Sequence, residues 1–187
     1  MRYPLPYEPI WEWIMATIQL CEHPGNSFLL SLSKDYGVYS DCFVATVEGH
    51  IDFQTLIDVF FDTWVFRIER LILAAAGMRP ANYQALQQLA SGKTDHFAAW
   101  KVVQRDTSQM LLAVPGSGIR TWLMVQPVNT DPTSTRLYFG SAIVPKPGVD
   151  GEKAQKALLR RLMNRFHLFY SKLLLSAAVK ALNRRRS

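Results

Sequence analysis

The last fifth of the chain has the hydrophobic pattern of one long amphipathic helix. From Asp150 onward, apolar residues recur with the period of an α-helix, which predicts a helix of about 30 residues and about 45 Å. The apolar stripe consists of Leu158, Leu159, Leu162, Met163, Phe166, Phe169, Tyr170, Leu173, Leu174 and Ala177. Asp150 is suited to cap the N-terminus of this helix, and Arg184–Arg186 are expected to form a frayed, solvated end.

Between Gly92 and Pro145 the apolar pattern changes to a period of two, which is typical of β-strands. The pattern predicts four strands, over residues 96–105, 109–114, 119–128 and 135–144. The segments between them are short and rich in residues that favour turns. Short connections between successive strands indicate antiparallel hairpins, so this part of the chain is expected to form an antiparallel sheet.

Both faces of this predicted sheet are apolar. Trp122 and Met124 lie on one face of the third strand, while Leu123 and Val125 lie on the other, and the fourth strand has a similar pattern. A sheet with one face in water would show a polar half. Both faces must therefore be covered, one by helical material and the other by a second layer, a partner subunit or the wall of an internal cavity.

The first half of the chain is expected to mix short strands with helices. The predicted elements are a helix over 10–20, strands over 27–32 and 36–47, a helical block over 54–76 and a helix over 81–90. Asp52 is in place to cap the helical block, since its carboxylate can accept hydrogen bonds from the first free amides. We expect this block to bend near Asp62-Thr63.

The length and composition are those of one globular domain. The chain has 187 residues, of which 49% are hydrophobic and 19% charged, and a chain of this size can bury a large core without disulfides. We therefore expect a single α+β domain over 1–187. Its parts are an N-terminal extension over 1–35, the sheet and short helices over 36–149, and a basic C-terminal helix over 150–187.

Neither the N-terminal region nor the cysteine pattern points to export. The chain has no apolar run of the ~18 residues that a membrane span requires, and its proline-containing, acidic start lacks the pattern of a secretory signal. Cys21 and Cys42 have no CxxC spacing, so reduced thiols in the cytoplasm are the expectation. A single Cys21–Cys42 disulfide in an exported protein stays open as the alternative.

The sequence lacks the motifs of standard catalytic and nucleotide-binding sites, including the Walker-type, GxGxxG, HExxH and GxSxG patterns. Asp58 and Asp62 share a helix face, and we interpret them as solvated rather than as metal ligands or an acid–base pair. The four histidines show no ligand spacing, and Cys42 is expected to be a small buried hydrophobe. We expect no cofactor and no metal ion.

The order of elements, together with three segments, carries a resemblance to known proteins. A strand, helices, antiparallel strands and a long last helix resemble the START-like, polyketide-cyclase-like helix-grip superfamily, over most of residues 36–182. Segments 52–73, 97–100 and 136–142 also look like bacterial conserved proteins of unknown function placed near that superfamily. The resemblance implies a curved sheet and an apolar ligand pocket between it and the last helix, and carries over no catalytic residue. The superfamily usually has six strands between its short helices and the last helix, and the pattern here predicts four.

Large aromatic residues and a few charged residues are the candidates for lining this pocket. The aromatic candidates are Trp100, Trp122, Tyr138, Phe139, Phe166 and Tyr170, each of which can equally be a core residue. Arg120 and Arg136 fall in adjacent strands and can face the same side. A buried guanidinium needs a partner, and Glu69 is the candidate for pairing with one of them and holding a polar ligand head. Exposure of these charges on the surface is the alternative.

Three functions follow from these candidates. The leading interpretation is a non-catalytic binding module for an apolar or amphipathic small molecule, such as a lipid, in the cavity between the sheet and the C-terminal helix. The first alternative is a cyclase-like or hydrolase-like enzyme that uses the same cavity, with Glu69, Arg120, Arg136 or Tyr138 as polar participants. The second alternative is an interaction protein whose sheet is covered by a partner subunit, for example in a homodimer.

The charge of the C-terminal helix suggests further partners. Ten of the 21 Lys and Arg residues lie from Asp150 onward, in a chain of net charge +6. These residues can form the solvated face of a core helix, or they can contact anionic lipid headgroups. Contact with nucleic acid is less favoured, because no nucleic-acid-binding motif accompanies the basic residues.

Overall fold

The computed structural model describes residues 18–67, 82–144 and 153–186, with the side chains of 168–185 in the last range. These residues form a seven-stranded antiparallel sheet, curved and open, with helices on both faces. The elements are β1 Gln19–Leu20, α1 Phe28–Tyr36, β2 Ser40–Glu48, α2 Phe53–Asp62, α3 Tyr83–Ala90, β3 His96–Phe97, β4 Trp100–Arg105, β5 Gln109–Ala113, β6 Ile119–Val128, β7 Asp131–Ile143 and α4 Lys153–Arg186. The α+β class, with the C-terminal helix packed on a curved antiparallel sheet, is confirmed.

The strands lie in the order β1-β2-β7-β6-β5-β4-β3. From β3 to β7 each strand pairs with the next along the chain, as the short connections predict. β2 precedes the helices α2 and α3 in the sequence, and β7, which follows them, pairs with it. Phe43 of β2 therefore lies opposite Phe139 of β7, and Phe139 lies opposite Leu123 of β6. This long-range pairing joins the first half of the chain to the hairpins.

The register assigns the alternating side chains to two faces of the sheet. Phe43, Leu123 and Phe139 lie on the face that packs against α2 and α4, which we call the α4 face. Cys42 and Trp122 lie on the opposite face, which packs against α1 and which we call the α1 face. The prediction that both faces are covered is confirmed, and α1 is the second layer.

Local side-chain hydrogen bonds mark where the helices begin. The carboxylate of Asp52 accepts a hydrogen bond from the backbone N–H of Thr55 at 2.6 Å, which confirms the predicted cap of α2. α2 ends at Asp62, and the hydroxyl of Thr63 donates to the carbonyl of Phe60 at 2.9 Å. Residues 64–67 are helical again, so the expected bend near Asp62-Thr63 is present.

Two predictions for the N-terminal region are wrong. The segment 27–32, predicted as a strand, belongs to helix α1, because Ser27 caps the helix and Leu29 turns into the core beneath it. Gly37, at φ +60°, ends α1 in the left-handed region where a Cβ is unfavourable. Gln19 and Leu20, predicted as the end of a helix, form β1 because they pair with the edge of β2. Residues 10–17 of that predicted helix lie outside the described residues.

The strand count and the end of the last helix also differ from the prediction. Residues 96–105 form two strands, because Ala98 adopts φ +52° and turns the chain between β3 and β4. Five strands therefore lie between α3 and α4 in the described part of the chain, rather than four. The expected frayed end at Arg184–Arg186 is helical through Arg186, although Arg184 and Arg185 are solvent-exposed as predicted.

Candidate functional site

The candidate site lies between the α4 face of the sheet and the helices that cover it. α4 packs against β2, β7 and α2. The side chains in this interior are almost all apolar. From the sheet they include Phe43, Ala45, Met110, Leu112, Leu123, Val125, Leu137 and Phe139, and from α4 they include Tyr170, Leu173, Leu174, Ala177 and Ala178. These side chains form a hydrophobic core cluster that offers few polar contacts.

Aromatic rings from α2 and the turn after it occupy part of this interior. Phe60 stacks on Phe139, with ring centroids 5.2 Å apart and an angle of 23° between the rings. Phe61 contacts Phe66 at 4.6 Å and Phe97 at 5.2 Å in edge-to-face geometry. Phe139 is one of the predicted pocket-lining residues, and Phe60 covers one side of its ring. These contacts anchor α2 to the sheet beside the candidate site.

Trp100 brings a polar atom into the apolar interior. It opens β4 on the α4 face, opposite Phe97, and is only 6% exposed. Its indole Nε1 is buried and has no hydrogen-bond partner among the residues that the structure describes. A buried donor left unpaired costs about 1–3 kcal/mol, so native proteins usually satisfy such a group with a partner.

Arg105, at the other end of β4, is a charged residue on the same face. Its register partner is Met110, and its Nη2 lies 2.9 Å from the Met110 sulfur. Burial lowers the pKa of the guanidinium, and the negative charge of Asp95 acts in the opposite direction. Its Nε is buried without a partner among the described residues. No sequence pattern singles out this arginine, because an arginine at the end of a strand normally faces water.

A buried polar cluster sits where α4 crosses the sheet. Oδ1 of Asp41 accepts hydrogen bonds from the backbone N–H of Ser141 at 2.6 Å and from its hydroxyl at 2.7 Å. The hydroxyl of Ser171, on α4, donates to Oδ2 of Asp41 at 3.2 Å. All three residues are buried. This cluster, which no local sequence pattern indicated, links β2, β7 and α4.

Two of the predicted aromatic residues lie on the opposite face. Trp122 and Tyr138 belong to the cluster beneath α1. The Nε1 of Trp122 donates to Oε1 of Gln109 at 2.9 Å, and the hydroxyl of Tyr138 donates to Gln126 at 3.1 Å. The predicted aromatic set is therefore split, with Trp100, Phe139 and Tyr170 on the α4 side. The side chain of Phe166 lies outside the described residues.

The predicted charged candidates do not converge. Arg120 and Arg136 are on the same face, as expected, but that face is the α1 face. They are six positions apart along the register of β7, or about 20 Å. Arg136 is exposed, and Arg120 donates to the carbonyl of its neighbour Ile119 at 3.0 Å. Glu69, their predicted partner, lies outside the described residues.

The other groups considered from the sequence have ordinary partners. Asp62 pairs with Arg67 at 2.9 Å, and Asp58 accepts hydrogen bonds from Gln87 at 2.7 and 2.8 Å. The two aspartates thus make separate contacts. Among the described residues no group of three or more His, Cys, Asp or Glu side chains is arranged to hold a metal ion.

Comparison with other proteins does not extend this picture. No protein-family model, no curated protein and no solved structure matches the chain. None of the helices in the described ranges is both long enough and apolar enough to cross a membrane. The interpretation of the site therefore depends on the contacts given above.

Proposed function

We propose that this protein is a non-catalytic binding module for an apolar or amphipathic small molecule, held between the α4 face and the C-terminal helix. The observation that supports the proposal is the buried indole N–H of Trp100, which has no hydrogen-bond partner in the described ranges and lies in an interior of aromatic and aliphatic side chains. A bound molecule with an acceptor oxygen would satisfy this donor. The apolar lining favours a ligand whose remaining surface is hydrocarbon or aromatic.

The two alternatives have less support. The enzyme alternative needs polar side chains that converge inside the cavity, but Arg120, Arg136 and Tyr138 lie on the other face of the sheet. The interaction alternative needs an uncovered sheet, but α1 packs on the α1 face and buries Leu29 against Trp122 and Met124. The order of the strands and the crossing of the sheet by α4 are compatible with the helix-grip resemblance, which is part of the proposal.

Native mass spectrometry of the protein, purified without detergent, tests the proposal directly. We expect a population with one lipid-like molecule bound per chain, removable by organic extraction. The extracted protein should then bind one molecule of anilinonaphthalene sulfonate, whose sulfonate oxygens are acceptors. Apoprotein in the native spectrum, together with no saturable binding of the probe, would refute the proposal.

A pair of tryptophan variants separates ligand contact from folding. Trp100→Phe keeps a ring and removes the unpaired N–H, so we expect an unchanged melting temperature and about tenfold weaker binding of the probe. Trp122→Phe is the matched control, because it removes the bond to Gln109 on the other face. It should lower the melting temperature and leave the affinity for the probe unchanged. The opposite pattern would place the site on the α1 face.

We also propose that the basic end of α4 contacts anionic membranes in the cytoplasm, where the module can load its ligand. Lys180, Arg184 and Arg185 are exposed and place three positive charges at this end of the helix. Each basic residue near such a surface contributes about 1 kcal/mol.

Cosedimentation with phosphatidylserine-containing vesicles tests this contact. Replacing Lys180, Arg184 and Arg185 together by Gln should abolish binding to the vesicles. Replacing the exposed Lys34, Lys93 and Lys101 by Gln removes the same charge elsewhere and serves as the control. Equal loss in the two triple variants would indicate only a general charge effect and would reject the proposed contact surface.

A further inference from the structure

Two cysteines meet side by side at the edge of the sheet. The Sγ atoms of Cys21 and Cys42 are 3.3 Å apart, and neither thiol is in a disulfide. The backbone N–H of Cys21 donates to the carbonyl of Cys42 at 2.9 Å, which continues the β1–β2 ladder by one residue beyond Leu20 and Phe43. Cys21 and Cys42 are thus directly opposite each other across two antiparallel strands.

This arrangement is close to the geometry of a disulfide. Directly opposed residues of a hydrogen-bonded antiparallel pair have Cα atoms about 5.5 Å apart, which is within the range that disulfides span. A side-chain rotation together with a small approach of β1 toward β2 shortens the sulfur–sulfur distance to the bond length of about 2.0 Å. The backbone therefore already holds the two thiols in a position from which they can bond.

We propose that Cys21 and Cys42 form a reversible disulfide when the protein is exposed to a peroxide. This bond fixes the segment between them, residues 22–41, onto the sheet. The segment contains α1, whose Leu29 covers Trp122 on the α1 face. The proposal is independent of any ligand in the interior, since these thiols and α1 lie on the other side of the sheet.

The two thiols have different roles because their surroundings differ. Cys21 is half-buried and can be reached from solvent, whereas Cys42 is buried. Contact with the Cys42 side chain lowers the pKa of Cys21, and the same contact together with burial raises the pKa of Cys42. Cys21 is therefore the thiol that ionises and reacts first, and Cys42 is the thiol that resolves the product.

The reaction proceeds in two balanced steps. In the first, the Cys21 thiolate attacks one oxygen of hydrogen peroxide, the O–O bond breaks, and the products are a sulfenic acid on Cys21 and, with one proton, water. In the second, the Cys42 sulfur attacks the sulfenic sulfur and forms the S–S bond. The hydroxyl of the sulfenic acid leaves with the thiol proton of Cys42 as a second water. Peroxide is reduced, and the two sulfurs together lose two electrons.

Peptide mapping of the full-length wild-type protein tests the bond. The protein is treated with stoichiometric hydrogen peroxide, free thiols are blocked with a maleimide, and the chain is digested with trypsin. Lys34 lies between the cysteines, so the expected product is two peptides joined by a disulfide and separated again by dithiothreitol. The melting temperature of the oxidised protein should be higher by about 6–10 °C. Disulfide-linked dimers, or Cys21 sulfinic acid beside an unreacted Cys42, would overturn the proposal.

Single-cysteine variants test the assigned roles. Cys42→Ala should stop at a sulfenic acid on Cys21, which dimedone traps. Cys21→Ala should leave Cys42 unmodified in the folded protein, because this thiol is buried. Labelling of Cys42 and not Cys21 by dimedone would reverse the roles. A disulfide that forms in the wild type without raising the melting temperature would refute the locking of the α1 segment.

Discussion

The carboxylate of Asp41 accepts hydrogen bonds from both the backbone N–H and the hydroxyl of Ser141, a residue 100 positions away in the sequence. Through Ser171 the same carboxylate also reaches the C-terminal helix. Most of the contacts between α4 and the sheet are apolar and are not directional. A satisfied polar cluster in such an interface selects one position of the helix, because any shift separates the buried carboxyl group from its donors.

Removing one hydroxyl from this cluster should weaken the attachment of α4. We expect Ser171→Ala to lower the free energy of unfolding by about 1–2 kcal/mol, because Asp41 loses a buried donor. Urea denaturation measures the effect, with Ser31→Ala on the exposed side of α1 as a control that should stay within about 0.5 kcal/mol of wild type. Equal effects of the two substitutions would argue against a role for the cluster.

The absence of a side chain at Gly140 allows β2, α1 and Trp122 to approach β7 closely. A Cβ added there would lie 2.6 Å from the carbonyl oxygen of Asp41 and 2.8 Å from a methyl carbon of Leu29. We expect Gly140→Ala to lower the free energy of unfolding by about 3 kcal/mol, since the backbone cannot yield without loss of strand pairing. Gly25→Ala is the control, because no atom lies within 4 Å of the added Cβ. A Gly140→Ala protein with wild-type stability would show that α1 does not pack as described.

Gln109 holds the layer beneath α1 together. Its Oε1 accepts hydrogen bonds from the indole of Trp122 at 2.9 Å and from the backbone N–H of Phe28 at 3.1 Å, and its Nε2 donates to the carbonyl of Asn26 at 3.0 Å. Gln109→Ala leaves the buried indole N–H of Trp122 unpaired and removes the bonds to Phe28 and Asn26, so a loss of about 2–4 kcal/mol is expected. Gln104→Ala, at an exposed position on the neighbouring strand, should change the midpoint of chemical unfolding little.

We expect His23 to make the stability of this layer depend on pH. Burial lowers the pKa of His23, and its contact with Ser40 and the charge of Asp41 oppose the shift only in part. The unfolded chain, with a histidine pKa near about 6.5, then takes up a proton at a higher pH than the folded protein does. The contribution of His23 therefore destabilises the fold as pH falls through and below about 6.5.

Thermal unfolding at pH 7.5 and pH 5.5 measures this contribution. The melting temperature of His23→Gln should fall less between these two pH values than that of the wild type. The exposed His96 provides the control, and His96→Gln should show the wild-type difference. A wild-type pH difference that persists in His23→Gln would exclude this histidine as the cause.

The sequence predicted those features that depend on local periodicity. The alternation around Trp122 and Leu123 correctly assigned the two residues to opposite faces of the sheet, because side chains in a strand always alternate. The cap at Asp52 and the break at Thr63 were also predictable, because each depends on hydrogen bonds within three or four residues. The same local signals failed for 27–32, where a leucine-rich run fits either a buried strand or a short helix.

The sequence by itself therefore determined the α+β class, the antiparallel hairpins, the long C-terminal helix and the apolar character of both sheet faces. Only the tertiary structure decided which aromatic residues lie on the α4 face and that α1 covers the other face. It also decided that Asp41 contacts Ser141 and that Cys21 contacts Cys42. The physical reason is the range of the interactions. The hydrophobic period and helix capping depend on residues within one or two helical turns of each other. The pairing of β2 with β7 joins residues about a hundred positions apart, and no local pattern specifies that register.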